Sequence, residues 1–304
     1  MREIGAHVSI AGGIDQAVVR AKELGCNSLQ LFSGSPRIWA KVDLAAHDTD
    51  KYYSEREKKG VKSVFTHASY LVNLASDNPN LVAKSARTIK YDLQFDALVK
   101  GSGVIVHLGS HQGRGWAAVK EQVVEQLRAI LADAPQEATL LIENSAGQNG
   151  KLCSDLAEIK WLLEQVDSPQ LGWCFDTCHG FAAGYDLGAE VTAAEAVHAR
   201  NQRAETAAAA ISRLELWPQL KCIHVNDSRG DFGSGIDKHA NLGEGKILRA
   251  DWEYFLNLAE VKKLPLILEV PGFAGTGPDQ ENVEILKELV GERGASSENG
   301  GAAK

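Results

Sequence analysis

Six times between residues 64 and 269 a short apolar run carries a histidine, aspartate or glutamate at its end. The runs are Val64-Phe-Thr-His67, Val104-Ile-Val-His107, Leu140-Leu-Ile-Glu143, Leu171-Gly-Trp-Cys-Phe-Asp176, Cys222-Ile-His224 and Leu266-Ile-Leu-Glu269. A buried ionisable group needs a partner or a metal to offset its desolvation, so six such run ends suggest one shared polyvalent site. The terminal residues are separated by steps of 40, 36, 33, 48 and 45 residues. Steps of that size fit strand-helix units with some loop insertion.

Two earlier strands fit the same scheme, at residues 2–9 and 28–32, with Gly12-Gly13 breaking the chain after the first. Helical spacing of apolar residues marks 14–24, 47–59, 80–100, 116–133, 152–166, 192–216, 251–260 and 283–290. Gly25 and Gly60 stop the first two. Eight strands alternating with helices imply a parallel sheet. The expected fold is an α/β (β/α)8 TIM barrel, with a metal site at the C-terminal ends of the strands. One catalytic barrel domain is expected over residues 1–290, and the small, polar segment 291–304 reads as a disordered tail.

The net charge of −8 and pI near 5.6 argue against broad, non-specific affinity for nucleic acid. Bulk charge is a poor guide here, because bound divalent metals would reverse the local sign. The five cysteines are odd in number and three lie in or just beside the apolar runs, so a disulfide framework is not expected and the thiols read as buried packing groups. The first residues show no basic segment followed by an apolar one, and no apolar stretch is long enough to span a bilayer. A cytoplasmic protein with no membrane partner is expected.

The candidate ligands are His67, His107, Glu143, Asp176, His179, His224, Asp237, His239 and Glu269. His179 follows Asp176 by three residues, where the strand is read as giving way to a loop. Asp237-Lys-His239 places two side chains on one side of an extended segment. Five imidazoles and four carboxylates suit zinc or manganese without a thiolate. Nine donors exceed the three or four that one catalytic zinc uses, which implies two or three ions. Three divalent ions would carry about +6 against four carboxylates, leaving roughly +2 to attract an anion such as phosphate. His7 reads equally as support for the site or as packing, His111 as a loop residue, His47 and His198 as surface, and Asp186 and Asp227 as loop acids.

Several longer motifs resemble one family. Gly5-Ala-His-Val-Ser, Asp176-Thr-Cys-His179-Gly-Phe-Ala-Ala-Gly-Tyr-Asp-Leu, His224-Val-Asn-Asp-Ser, Gly233-Ser-Gly-Ile-Asp237-Lys-His239 and Leu268-Glu269-Val-Pro look like the endonuclease IV family of apurinic/apyrimidinic endonucleases, zinc-dependent deoxyribonucleases. The likeness runs from about residue 2 to 290. It implies three Zn2+ per chain, with Mn2+ an alternative at one site. His67 and His107 would hold one ion, with Glu143 bridging it to a second. Asp176, His224 and Glu269 would complete the second, and His179, Asp237 and His239 would hold the third. The implied reaction hydrolyses the phosphodiester 5′ to an abasic site in duplex DNA, leaving a 3′-hydroxyl and a 5′-deoxyribose phosphate. Its nucleophile would be a bridging hydroxide oriented by Glu143, the catalytic residue, and blocked 3′ ends would also be trimmed.

By position, Arg37 and Tyr70-Leu71 look like the side chains that family members insert into bent DNA, where apolar and aromatic groups replace lost stacking. Ser35 and Ile38 depart from the polar or amide groups expected in the first of these loops, and Tyr70 and Leu71 could instead cap the barrel. The implied protein is a monomer with no nucleotide cofactor. Two rival readings remain: a two-metal sugar isomerase on the same barrel, and a non-catalytic damage-binding protein.

Overall fold

In the computed structural model, which describes residues 1–191 and 205–292, eight parallel strands close into a barrel. They are β1 Ile4–His7, β2 Ser28–Phe32, β3 Val64–His67, β4 Gly103–Val106, β5 Leu140–Glu143, β6 Leu171–Asp176, β7 Leu220–His224 and β8 Leu266–Leu268. Each strand pairs with its neighbours in sequence, and β1 pairs with β8 to close the ring. The surrounding helices are α1 Ile14–Glu23, α2 Thr49–Lys59, α3 Pro79–Leu98, α4 Trp116–Leu131, α5 Leu156–Val166, α6 Thr177–Ala183, α7 Ala207–Arg213, α8 Arg249–Leu256 and α9 Gln280–Leu289. Among the described residues no helix is long and apolar enough to cross a membrane.

Local chemistry sets the helix starts. The side chains of Asp48, Asn78, Asp155 and Asp279 each accept a backbone N–H from the first turn of α2, α3, α5 and α9. Pro79 begins α3, where its missing N–H costs nothing. Gly60 ends α2 in the left-handed conformation.

One element departs from expectation. The residues after Asp176 form a short helix rather than a loop: Asp176 caps α6, and its Oδ1 accepts the His179 amide at 2.8 Å. The small residues Gly180, Ala182 and Ala183 let this helix pack fully buried against the barrel. Of the expected helix at 192–216, residues 192–204 lie outside the described residues, and α7 covers Ala207–Arg213. Residues 293–304 of the expected tail also lie outside them.

The barrel interior is filled by a plug of Phe65, Ile105, Leu141, Cys174, Cys222 and Ile267, one residue from each of β3 to β8. Side chains alternate across a strand with a period of two, so the next inward-facing residue on each strand lies two positions on. Those residues are His67, His107, Glu143, Asp176, His224 and Glu269. The ligand layer therefore stands directly on the apolar plug, at the C-terminal mouth. Gly5 on β1 leaves the space the plug needs, because a Cβ there would sit 2.6 Å from Ile267 Cδ1. Intervening residues such as Val64, Val104 and Leu140 face outward into the main core beneath the helices.

Asp96 of α3 ties the helix to the barrel wall. It is 1% exposed, accepts the Thr66 hydroxyl at 2.9 Å, and lies so close to Gly101 that any side chain there would collide with it. Burial pushes its carboxyl up to about 7, against the pull of the Thr66 hydroxyl and the Gly103 amide. A carboxyl raised in the folded state contributes stability that is complete below its unfolded value near 4 and is lost as pH rises through about 7. We expect wild type to lose roughly 4 kcal/mol of this contribution between pH 4 and 8. Asp96→Asn should flatten that part of the stability curve. Thermal melts of both proteins across that range check it, and parallel curves would dissociate Asp96 from the pH dependence.

Candidate metal centre

Glu143 stands at the middle of the mouth, 1% exposed, and four imidazoles converge on it. Its Oε2 lies 3.2 Å from His67 Nε2 and 3.2 Å from His107 Nε2, and its Oε1 lies 3.0 Å from His224 Nδ1 and 3.4 Å from His179 Nδ1. Glu269 Oε2 reaches His224 Nδ1 at 3.3 Å, and Asp176 Oδ2 reaches it at 3.9 Å. On the far side His179 Nε2 faces Asp237 Oδ1 at 3.1 Å and His239 Nε2 at 3.4 Å. All nine sequence-derived candidates are thus brought to one place. Within it, three overlapping groups present ligand atoms lying within 4.8 Å of one another: His67, His107 and Glu143; Glu143, Asp176, His224 and Glu269; and Asp176, His179 and His239.

The rings are aimed by their outer nitrogens. His67 Nδ1 donates to Ala68 O at 2.8 Å, His179 Nδ1 to Asn144 O at 3.0 Å and His239 Nδ1 to Glu269 O at 3.3 Å, which leaves each Nε2 facing inward. His224 is turned the other way. Its Nε2 donates to Gln30 Oε1 at 2.7 Å and its Nδ1 faces the carboxylates. Gln30 also donates through Nε2 to Glu269 Oε1 and lies 2.9 Å from His7 Nδ1, so one amide orients two candidate ligands.

A ring nitrogen facing a carboxylate at such range needs a proton or a cation between them. Burial works against protonation of His179, His224 and His67, yet Asp176, Asp237 and Glu143 raise His179 well above the ordinary histidine value, Cys174 with Glu269 and Glu143 does the same for His224, and Glu143 with Glu269 raises His67. Burial would also raise Glu143, but His107, His224 and His179 hold it well below the usual carboxylate range. His107 is pushed by burial down to about 4 despite Glu143, with His179, His67 and Lys151 adding to the push. The donor set is one a divalent cation fits: five imidazoles, four of them with the outer nitrogen anchored, carboxylates held ionised, and no thiolate required. Cys174 and Cys222 also lie near His224, but burial raises the Cys174 thiol well above its ordinary value, which leaves it a poor ligand.

Beside the centre runs a groove of about 990 Å3 whose lining includes His7, Phe32, Arg37, Tyr70, His239 and Glu269. Tyr70 is 61% exposed and packs edge-on against Phe32, with ring centroids 5.3 Å apart. Arg37 is exposed on the adjoining loop, which Ser69 Oγ fastens by donating to Pro36 O at 2.7 Å and which Lys41 pins by its 2.6 Å ion pair with buried Asp92. Leu71 is half-buried and does not line the groove, so only two of the three candidate DNA contacts share it. Ile38, one of the unusual loop residues, is 52% exposed.

His7 lies 3.5 Å from Glu269 at the edge of the centre, and His111 is a loop residue whose Nδ1 accepts the Gly113 and Gly115 amides. His47 is half-buried edge-on to Phe95 rather than on the surface, and His198 lies outside the described residues. Asp227 and Asp186 are buried rather than exposed loop acids; Asp227 gathers the amides of Ser228, Gly243, Gly245 and Ile247. Gln30, Asn144 and Asn226 were not singled out from sequence. Asn144 Oδ1 accepts the Asp176 amide at 2.6 Å, and Asn226 donates to Asp176 Oδ2 at 2.7 Å while accepting the Glu269 amide at 2.8 Å. The available signal was a polar residue amid Leu29-Gln-Leu31 and an asparagine just past two ligand-bearing strand ends.

Residues 18–289 match the family of xylose isomerase-like TIM barrels. A probable endonuclease 4 of Halothermothrix orenii is 34% identical over 285 residues, covering 93% of this chain and 99% of that protein. Another from Methanoculleus marisnigri is 35% identical over 290 residues, covering 95% of this chain and 99% of its own length. Among solved structures, endonuclease IV from Thermus thermophilus superposes with a TM-score of 0.80 at 32% identity, over 96% of this chain and 100% of that one. With its barrel, its mouth-centred donor cluster and this likeness along nearly its whole length, the chain belongs to the endonuclease IV family.

Proposed function

We propose that this protein is a metal-dependent DNA-repair endonuclease that hydrolyses the phosphodiester 5′ to an abasic site. The observation that carries the reading is the convergence of eight imidazole and carboxylate donors into three overlapping groups, with Asp237 Oδ1 3.1 Å from His179 Nε2 beside them, next to an open groove. His67, His107 and Glu143 would hold one ion, Glu143, Asp176, His224 and Glu269 a second, and His179, Asp237 and His239 a third. Zinc suits every position, with manganese an alternative at one of them. Bound divalent ions would supply an activated water and neutralise charge on the scissile phosphate.

The residues of the chain do the rest. Glu143, gripped by four rings, orients the nucleophile at the junction of two donor groups. Gln30 and Asn226 keep His224, Glu269 and Asp176 in register, so that little reorganisation is needed when substrate arrives. Tyr70 and Arg37, both lining the groove from loops joined to one another, would fill the space left in the duplex by an extruded abasic nucleotide. Trimming of blocked 3′ termini would use the same groove and donors. The ligand count argues against a two-metal isomerase, and a complete donor set argues against a protein that only binds damage.

The direct test is metal content by elemental mass spectrometry together with incision of a duplex bearing one synthetic abasic site. About three ions per chain with cleavage 5′ to the lesion, lost on chelation and restored by zinc, is the expected result. Two ions with aldose–ketose isomerisation instead, or binding without cleavage, would overturn the reading. Glu143→Gln is expected to lower incision by about a thousand-fold while shifting the melting temperature by less than about 5 °C. Near-wild-type cleavage by that variant would remove Glu143 from the chemistry. Tyr70→Ala should reduce the preference for abasic over intact duplex by about 10-fold at unchanged metal content, as competition binding would report. An unaltered preference would return Tyr70 to capping the barrel.

A further inference from the structure

The loop after β5 does more than carry Glu143 to the mouth. It folds back against the loop after β4: Lys151 makes a single antiparallel bridge with Ser110, the Leu152 amide donates to Gly109 O at 2.9 Å, and the His111 amide donates to Gly150 O at 3.0 Å. The backbone on both sides of Lys151 is therefore fixed. From this anchor the Lys151 ammonium reaches Asp237 Oδ2 at 2.7 Å, while Asp237 Oδ1 stays turned to His179 Nε2 at 3.1 Å. Gln148 of the same loop accepts the Asp237 amide through Oε1 at 3.0 Å. One loop thus grips Asp237 by main chain and side chain together.

We propose that Lys151 is a positioning residue of the metal centre, holding Asp237 to ligation through Oδ1 alone and leaving the ion there less neutralised by its ligands. The inference rests on the reading of Asp237, His179 and His239 as one ligand group. A free carboxylate can offer a cation one oxygen or two, and an ammonium seated on Oδ2 forecloses the second mode. The same fixed positive charge draws electron density from Asp237. It weakens the hold on the ion and strengthens that ion's attraction for a negatively charged oxygen of the substrate. Lys151 is only half-buried, so its replacement removes charge without opening the core.

The test compares metal-loaded wild type with Lys151→Met, which keeps the length and apolar stem, and with Lys151→Arg, which keeps the charge. Release of the most labile ion to a chelator is expected to slow by about 10-fold in Lys151→Met at full initial metal content. On abasic duplex, kcat should fall by about 10-fold while KM stays within about 3-fold. Lys151→Arg should restore both. Release that is unchanged or faster in Lys151→Met would overturn the proposal, as would a raised KM at unchanged kcat, which is the signature of a direct substrate contact. If Lys151→Met melts well below wild type, Lys151→Gln carries the same comparison. Should wild type fail to incise abasic DNA, the nuclease reading falls, and the release rates alone still judge Lys151.

Discussion

Everything at the mouth of this barrel depends on the two-residue alternation of its strands. Phe65, Ile105, Leu141, Cys174, Cys222 and Ile267 fill the interior, and two positions later the same six strands present three histidines and three acids. Each ligand-bearing side chain therefore rises from a buried neighbour on its own strand, and each pair of strands is fixed in register by a parallel ladder. A one-residue slip of any strand would send its ionisable group outward into the helical layer and bring a residue such as Thr66, Val106 or Phe175 into the mouth. The packing of the plug and the geometry of the metal centre are one constraint.

Concentrating so many ionisable groups away from water opposes folding, and the surrounding structure offsets it by pairing them. Carbonyls of Ala68, Asn144 and Glu269 take the outer nitrogens of three rings. Gln30 takes that of His224, and Asn144 and Asn226 hold Asp176 and Glu269 by main-chain and side-chain bonds. These neutral amides orient the donors without adding charge, so the balance at the centre is left to the rings, the carboxylates and whatever cation they hold. Lys151 is the exception, a cation on the outer oxygen of Asp237.

The groove extends this arrangement outward. Arg37 and Tyr70 stand on loops after adjacent strands β2 and β3, joined through the Ser69 to Pro36 hydrogen bond and braced from behind by Lys41 and Asp92. A basic and an aromatic side chain thus face a substrate path from supports tied to one another. Leu71, next in sequence to Tyr70 in the same turn, is half-buried.

The eight strands, the alternation and the nine donors were legible in the sequence because each leaves a local mark: an apolar run, a helical period, an ionisable residue at a run's end. The helix at Thr177–Ala183 left no such mark, since a seven-residue segment of small residues takes its helical form from the Asp176 cap and from complete burial. Gln30, Asn226 and Lys151 were equally silent, because their partners lie far away along the chain: His224 is 194 residues from Gln30, Glu269 is 43 from Asn226 and Asp237 is 86 from Lys151. Residue types and periods are properties of neighbours in sequence, so the chain alone determined which groups could serve and on which face of each strand they stand. Which nitrogen of each ring turns inward, which oxygen of Asp237 faces His179 and which of Tyr70 and Leu71 meets the groove were decided only when barrel closure brought distant strands together.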